Sequence, residues 1–189
     1  MSPGGVGEPL TWNVAGLLSE PAGSMRDYRV SGVTIDLGQD LRQADPIGGT
    51  VRLSRTNRGL LVQADIATSL AGECSRCLRD VEVPIEIHVE EEALPALDMT
   101  TGAPRDTSTD SDVLRLTDHH ELELESPVRE AVILAEPIAP LCEPDCPGLC
   151  PVCGERLAGP PHAHAEPDID PRLEALLAFR VSRDSDSDR

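Results

Sequence analysis

Six cysteines fall into two groups whose spacing is that of metal ligands. The first is Cys74-Ser75-Arg76-Cys77, a C-x-x-C. The second is Cys142, Cys146, Cys150 and Cys153, within LCEPDCPGLCPVCG, and His162 and His164 follow two residues apart. Two thiolates at this spacing grip one cation from a single tight turn, and Zn²⁺ takes four soft or borderline donors in a tetrahedron. This pattern constrains the fold more than any other, because the chain must bring distant segments to a common ion. In CPVCG, Pro151 fixes the start of the turn and Gly154 permits the backbone reversal of a zinc knuckle. Cysteines buried only as small hydrophobes need no such spacing.

The eight donors suffice for one or two structural zinc ions. One partition pairs Cys150 and Cys153 with His162 and His164, and joins Cys74 and Cys77 to Cys142 and Cys146. Another closes a single four-cysteine site from Cys142, Cys146, Cys150 and Cys153 and leaves the first pair free. Spacing alone does not choose between them.

A chain of 189 residues suits one domain, or one domain with a small added module. Trp12, Tyr28 and Phe179 are its only aromatics, so Leu, Val, Ile and Ala must build the core. A ligated ion helps such a core, since it stabilises the fold without needing buried area. The net charge is -18, and all 16 basic residues are arginine. That charge argues against an autonomous binder of bare nucleic acid, whose affinity comes from neutralising phosphates. Residues 81–145 hold 17 Asp or Glu against three Arg. The first residues lack the basic and apolar regions of a secretory signal, and no apolar run approaches the length of a membrane span. The expected compartment is the cytoplasm, where C-x-x-C groups bind metal or act in redox chemistry more often than they form disulfides.

The expected class is α+β: an antiparallel β-sheet with a few helices and a zinc-knuckle C-terminal segment. Residues 1–11 read as a disordered N-terminus and 12–97 as a mainly β part carrying the C-x-x-C hairpin. Residues 98–112 read as a flexible acidic loop, 113–180 as a helix plus the Cys/His segment, and 181–189 as a disordered tail. A short helix is expected from Trp12 to Leu18. Strand alternation appears at Val33, Ile35 and Leu37, at Val51 and Leu53, and from Leu60 to Ile66. It is strictest from Val81 to Val89. Pro84 places that last strand at an edge, or turns its missing N–H away from a partner. The C-x-x-C lies between two strands, as in a ribbon knuckle, whereas a redox pair opens a helix. ELELESPVREAVILAEP reads as a strand and then a helix, with Ser126 as N-cap, Pro127 at its first position, and Val128, Val132 and Ala135 facing inward. A last helix is expected from Pro171, capped by Asp170, with Leu173, Leu176, Leu177 and Phe179 as its apolar positions.

No phosphate loop, G-x-S-x-G or H-E-x-x-H is present, and four donors around zinc leave no open position. The expected role is therefore non-catalytic, with no small-molecule substrate. His88, His119 and His120 read as exposed or structural. Arg52, Arg55, Arg58, Arg76 and Arg79 cluster in sequence around a turn and the first knuckle, and arginine forks match phosphate oxygens. That end of the sheet is expected to approach RNA.

CSRCL (Cys74 to Leu78), EAVILAEPIAPLC (Glu130 to Cys142), CPGLCPVCG (Cys146 to Gly154) and IDPRLEAL (Ile169 to Leu176) occur in this order and together resemble the YceD family, over about residues 12–180. The resemblance implies a role in accumulation of large-subunit ribosomal RNA. It also implies a gene neighbour encoding a small zinc-ribbon ribosomal protein. Where many members carry C-x-C, this chain has His162-Ala163-His164; imidazole can replace thiolate on zinc, which supports ligand roles there. The Asn common after Gly-x-x-Leu is here Ala158. The expected partners are large-subunit rRNA and/or a basic ribosomal protein, with the acidic stretch shielding the latter. A metal-dependent RNA-processing enzyme and a generic zinc-held interaction module are the alternatives.

Overall fold

The computed structural model describes residues 10–39, 41–97 and 113–164, and residues 101, 103 and 172 singly. In chain order the elements are β1 (Thr11–Asn13), α1 (Ala15–Leu18), β2 (Met25–Val33), β3 (Arg42–Arg55), β4 (Leu60–Glu73), β5 (Asp80–Leu94), β6 (Leu114–Arg115), β7 (Glu121–Glu123) and α2 (Glu125–Leu134). A five-stranded sheet runs β2-β3-β4-β5-β6, and β1 pairs with β7. Strands β2 to β5 form an antiparallel meander, and β6 joins β5 in parallel through Leu114 and Arg115. The class is α+β.

Alternation builds the sheet's two faces. Leu60, Val62, Ala64, Ile66 and Leu70 of β4, with Ile85, Ile87 and Val89 of β5, point into a core closed by Leu17, Leu116, Leu122, Leu124, Val128 and Val132. The other face is polar. Arg52 Nε donates to Asp27 at 2.7 Å, Gln63 Nε2 to Glu90 at 2.8 Å, and the His88 ring lies 2.7 Å from Asp65. With so few aromatics, Trp12 and Tyr28 make the one described ring pair outside the histidines, at 5.7 Å. Two glycines allow close backbone approach: a Cβ at Gly49 would strike the Asp65 carbonyl, and one at Gly59 the Ala93 carbonyl.

Several boundaries differ from the sequence reading. Leu10 is buried and Thr11 pairs with Glu123, so these two residues are structured, while 1–9 of the expected disordered N-terminus lie outside the described residues. The expected helix from Trp12 is a strand first and a four-residue helix after it, because cross-strand pairing with β7 captures Thr11–Asn13. Ile35 and Leu37 are buried but lie outside any strand, while β2 ends at Val33. Helix α2 starts at Glu125 behind Leu124, which is buried and donates its N–H to the Leu10 carbonyl at 2.9 Å. Ser126 lies inside the helix, its hydroxyl 3.3 Å from Glu130, so it is not the cap. Val128 and Val132 face inward and Ala135 packs against the core, as the periodicity predicts.

Pro84 stands opposite Ser69 of β4, and β6 meets β5 only at Ala93 and Leu94. Among the described residues, the Pro84 end of β5 is thus a free edge. The chain divides into compact units at residues 1–146 and 147–189. In residues 147–164 only Gly148 and Cys150 are buried, and a single bridge joins Leu149 to Arg156. The expected acidic loop at 98–112 lies outside the described residues save 101 and 103, as do the tail at 181–189 and, save Arg172, the helix from Pro171. Among the described residues no helix is long and apolar enough to cross a membrane.

Candidate metal centre

Between β4 and β5 the chain makes a knuckle. The Cys74 N–H donates to the Arg79 carbonyl at 2.7 Å and the Leu78 N–H to the Cys74 carbonyl at 2.9 Å, with Leu78 left-handed at φ 54°. This geometry turns both sulfurs the same way. The segment after α2 returns to them: the Ser75 N–H donates to the Pro140 carbonyl at 2.8 Å, and Arg76 Nη1 donates to the Cys146 carbonyl at 3.0 Å. Cys142 and Cys146 thereby face the hairpin tip. Cys74 Sγ lies 3.7 Å from Cys146 Sγ, and Cys77 Sγ lies 3.7 Å from Cys142 Sγ. All four sulfurs fall within 4.8 Å of one another, and Cys142 alone is not fully buried.

These distances discriminate. A disulfide needs about 2.05 Å, and all six cysteines are free. A tetrahedron with metal–sulfur bonds of about 2.3 Å has sulfur–sulfur edges of about 3.8 Å. The donor set fits an ion at its centre.

The second set repeats the device. The Cys150 N–H donates to the Glu155 carbonyl at 2.7 Å, the Gly154 N–H to the Cys150 carbonyl at 2.9 Å, and Gly154 takes φ 75°. Cys150 Sγ is 3.3 Å from His164 Nε2 and Cys153 Sγ is 3.5 Å from His162 Nε2. With metal–sulfur and metal–nitrogen bonds of about 2.3 and 2.05 Å, a mixed tetrahedral edge is about 3.5 Å. These four donors also lie within 4.8 Å of one another. The other ring nitrogen of His162 is 3.4 Å from the Pro160 carbonyl and 4.0 Å from the Glu155 carboxylate, the kind of outer partner that orients a ligating imidazole. The donors therefore assemble as the first of the two partitions.

Electrostatics prepare both sets for a cation. Burial pushes the Cys74 thiol up, but the N–H groups of Cys142, Cys77 and Arg76 aimed at its sulfur bring it down to about 6. Cys142 is pushed up to about 12 by burial and by the neighbouring thiols of Cys146, Cys77 and Cys74. Cys150 is lowered to about 6 by His162 and then by the amides of Cys153 and Val152. Without an ion, Cys74 and Cys150 lean toward thiolate while Cys142 and Cys153 are held toward the thiol, whose proton a bound divalent ion displaces.

The five arginines do not form one surface. Arg55 and Arg58 flank the β3–β4 turn, whereas Arg76 and Arg79 sit at the β4–β5 turn, at the opposite end of the 14-residue β4. At about 3.3 Å per residue, that strand separates the turns by roughly 45 Å. Arg52 is ion-paired to Asp27. Arg55 donates to the carbonyls of Leu18 at 3.1 Å and Gly59 at 2.9 Å, and to that of Thr56. Arg58 is 3.7 Å from Glu92. Arg76 pins Cys146, and Arg79 is exposed. The roles of Arg76, Ser75 and Pro140 in holding the first set were not legible, since two of the three act through backbone atoms.

A family model described as large ribosomal RNA subunit accumulation protein YceD matches residues 62–180. An uncharacterized protein of Mycobacterium tuberculosis is 31% identical over 175 residues, covering 91% of this chain and 82% of that protein. An uncharacterized protein of Mycobacterium leprae is 30% identical over 146 residues, covering 76% of this chain and 64% of that protein. No solved structure matches the chain. The family match spans both donor sets, and the mycobacterial likeness extends over most of the chain: the chain belongs to the YceD family of large ribosomal RNA subunit accumulation proteins.

Proposed function

We propose that this chain is a non-catalytic factor in large ribosomal subunit biogenesis, held together by two structural zinc ions and acting by binding a basic ribosomal protein, rRNA or both. The observation that carries the reading is the convergence of two complete donor sets, S₄ and S₂N₂, in a chain of this family. Such sets suit zinc among the common metals. Four protein donors leave no vertex for water, which a hydrolytic zinc site keeps open; this weighs against a metal-dependent RNA-processing enzyme. Three of the five arginines proposed for RNA already hold Asp27, backbone carbonyls or Cys146, which favours a protein partner. Six free thiols suit a reducing compartment, in keeping with work in the cytoplasm.

Complementation tests the reading. In a strain lacking the gene, wild-type protein is expected to restore large-subunit rRNA, and the paired change Cys74→Ser with Cys142→Ser is not. Metal analysis of the purified chain is expected to find two zinc ions. Full complementation by the paired variant would remove the metal-held form from the function, and metal-dependent cleavage of rRNA precursors would establish the enzyme instead.

A further inference from the structure

The last strand of the meander leaves one side of its backbone open. β6 meets β5 only at Ala93 and Leu94, so among the described residues the rest of β5 has β4 on one side and no strand on the other. Parity along β5 shows which groups face out. Leu94 turns its carbonyl toward the β6 side, where it accepts from the Leu116 N–H at 3.0 Å. β5 pairs with β4 from Asp80 to Ala93 without a slip, and along an antiparallel strand the N–H and C=O alternate in direction residue by residue. The even-numbered residues of β5 therefore aim their backbone groups away from β4. Pro84 agrees, since its missing N–H then falls on the open side and not in the ladder. Glu86, His88 and Glu90 follow the same parity, each with an outward N–H and an outward carbonyl, and among the described residues nothing outside the strand bonds to them.

The side chains of the same residues select the occupant. Alternate positions share one face of a sheet, here the polar face, where His88 lies against Asp65 and Glu90 accepts from Gln63. Glu82, Glu86 and Glu90 are all exposed on it. Among the described residues neither Glu82 nor Glu86 makes an ion pair. A strand added antiparallel sets one residue directly opposite each of these, on the same face, where opposite charges attract and like charges repel. Glu86 and Glu90 thus ask for cations four residues apart, with a neutral residue between them opposite His88. Phosphates would be repelled, and a nucleic acid brings no amide ladder. The remaining segments of this chain do not supply the cations. Residues 1–9 hold Glu8 and no Arg, 98–112 hold four Asp against one Arg, and 165–189 hold seven Asp or Glu against four Arg.

We infer that the open edge of β5 takes up an antiparallel strand of a protein partner, with arginine or lysine four residues apart facing Glu86 and Glu90. The inference rests on the proposed binding role and names the form that its protein partner takes. Main-chain bonds supply the affinity, and the carboxylates supply the choice of strand. β4 holds the edge extended from Asp80 to Ala93, so the docking line is preformed.

The test titrates the full-length, zinc-loaded protein with a labelled, end-blocked peptide of sequence Thr-Arg-Thr-Val-Thr-Arg-Thr. Methylating the backbone nitrogens of both arginines and of the valine removes the amides that face Glu86, His88 and Glu90, and should weaken binding by about tenfold or more. Methylating the two threonine nitrogens between the arginines, which face away, should cost about twofold or less. A peptide with its arginines three apart, hence on opposite faces, should bind about threefold more weakly. Glu86→Gln with Glu90→Gln should abolish that preference, and Glu123→Gln with Glu130→Gln should keep it. Amide exchange supplies an independent reading. Without peptide, the N–H groups of Glu86, His88 and Glu90 should exchange fast and those of Ile85, Ile87 and Val89 slowly; saturating peptide should slow the first three. Equal losses from the two methylation patterns, or no slowing at Glu86, His88 and Glu90, would overturn the edge. Recovery of a large-subunit ribosomal protein from cells separates the two ideas. If wild type and the Glu86→Gln, Glu90→Gln variant retain it equally, the edge fails and the proposed function stands. If wild type retains none after nuclease treatment, the protein-binding role fails, and the titration alone decides the edge.

Discussion

Leu78 and Gly154 hold the same place in the two knuckles, each left-handed and each donating its N–H to the first cysteine of its pair. For an L-residue other than Asn or Asp that conformation costs about 1–2 kcal/mol, while glycine's extra chain entropy costs about 0.5–1 kcal/mol. Relief exceeds loss, so Leu78→Gly is expected to stabilise the zinc-loaded protein by about 0.5 kcal/mol, and Gly154→Ala to destabilise its own knuckle by about 1 kcal/mol. Thermal melting reads both. His88 titrates upward from its ordinary 6.5 because Asp65 accepts from its ring at 2.7 Å, with Glu90 adding to the attraction. Its folded pKa exceeds its unfolded value, so this contribution to stability is whole below pH 6.5 and fades as pH rises through the folded pKa. NMR titration is expected to give a value above 6.5 that falls back in Asp65→Asn.

Elements were legible where alternation was undisturbed. β4 and β5 set Leu60 to Ile66 and Ile85 to Val89 against polar neighbours, and the structure pairs them without a slip. β2 hid because Arg26 and Tyr28 take inward positions where aliphatics are expected. The first half of β3 hid because irregularities between Gln43 and Gly48 break the period, and bulges of this kind erase a two-residue rhythm. At α2 the sequence offered Ser126 as a cap, but burial of Leu124 sets the start. Leu124→Ala is therefore expected to cost about 2–5 kcal/mol by urea unfolding, and Ser126→Ala less than the roughly 1 kcal/mol of a lost cap. The candidate ligands were legible as residues because knuckle chemistry is local. Their partition was not, since it depends on which tip the chain revisits after α2. The separation of the arginines was hidden for a related reason: neighbouring hairpins in sequence turn at opposite ends of the strand they share.

At the scale of the molecule, two kinds of stability coexist. Residues 10–146 bury an aliphatic core, whereas 147–164 bury little beyond Gly148 and Cys150. So little burial among the described residues suits support by a bound ion, and structural zinc supplies about 10 kcal/mol or more in small sites. Chelation is expected to abolish amide-exchange protection in 147–164 and along 138–146, while β4 and β5 keep theirs. Unchanged exchange in both segments would rule out ligation as their support. The free edge of β5 carries a different consequence. A second copy offering a strand there would find no donor at Pro84 and would set Glu82, Glu86 and Glu90 against their own kind. Among the described residues, this border is thus poorly suited to extending a ladder from one copy to the next.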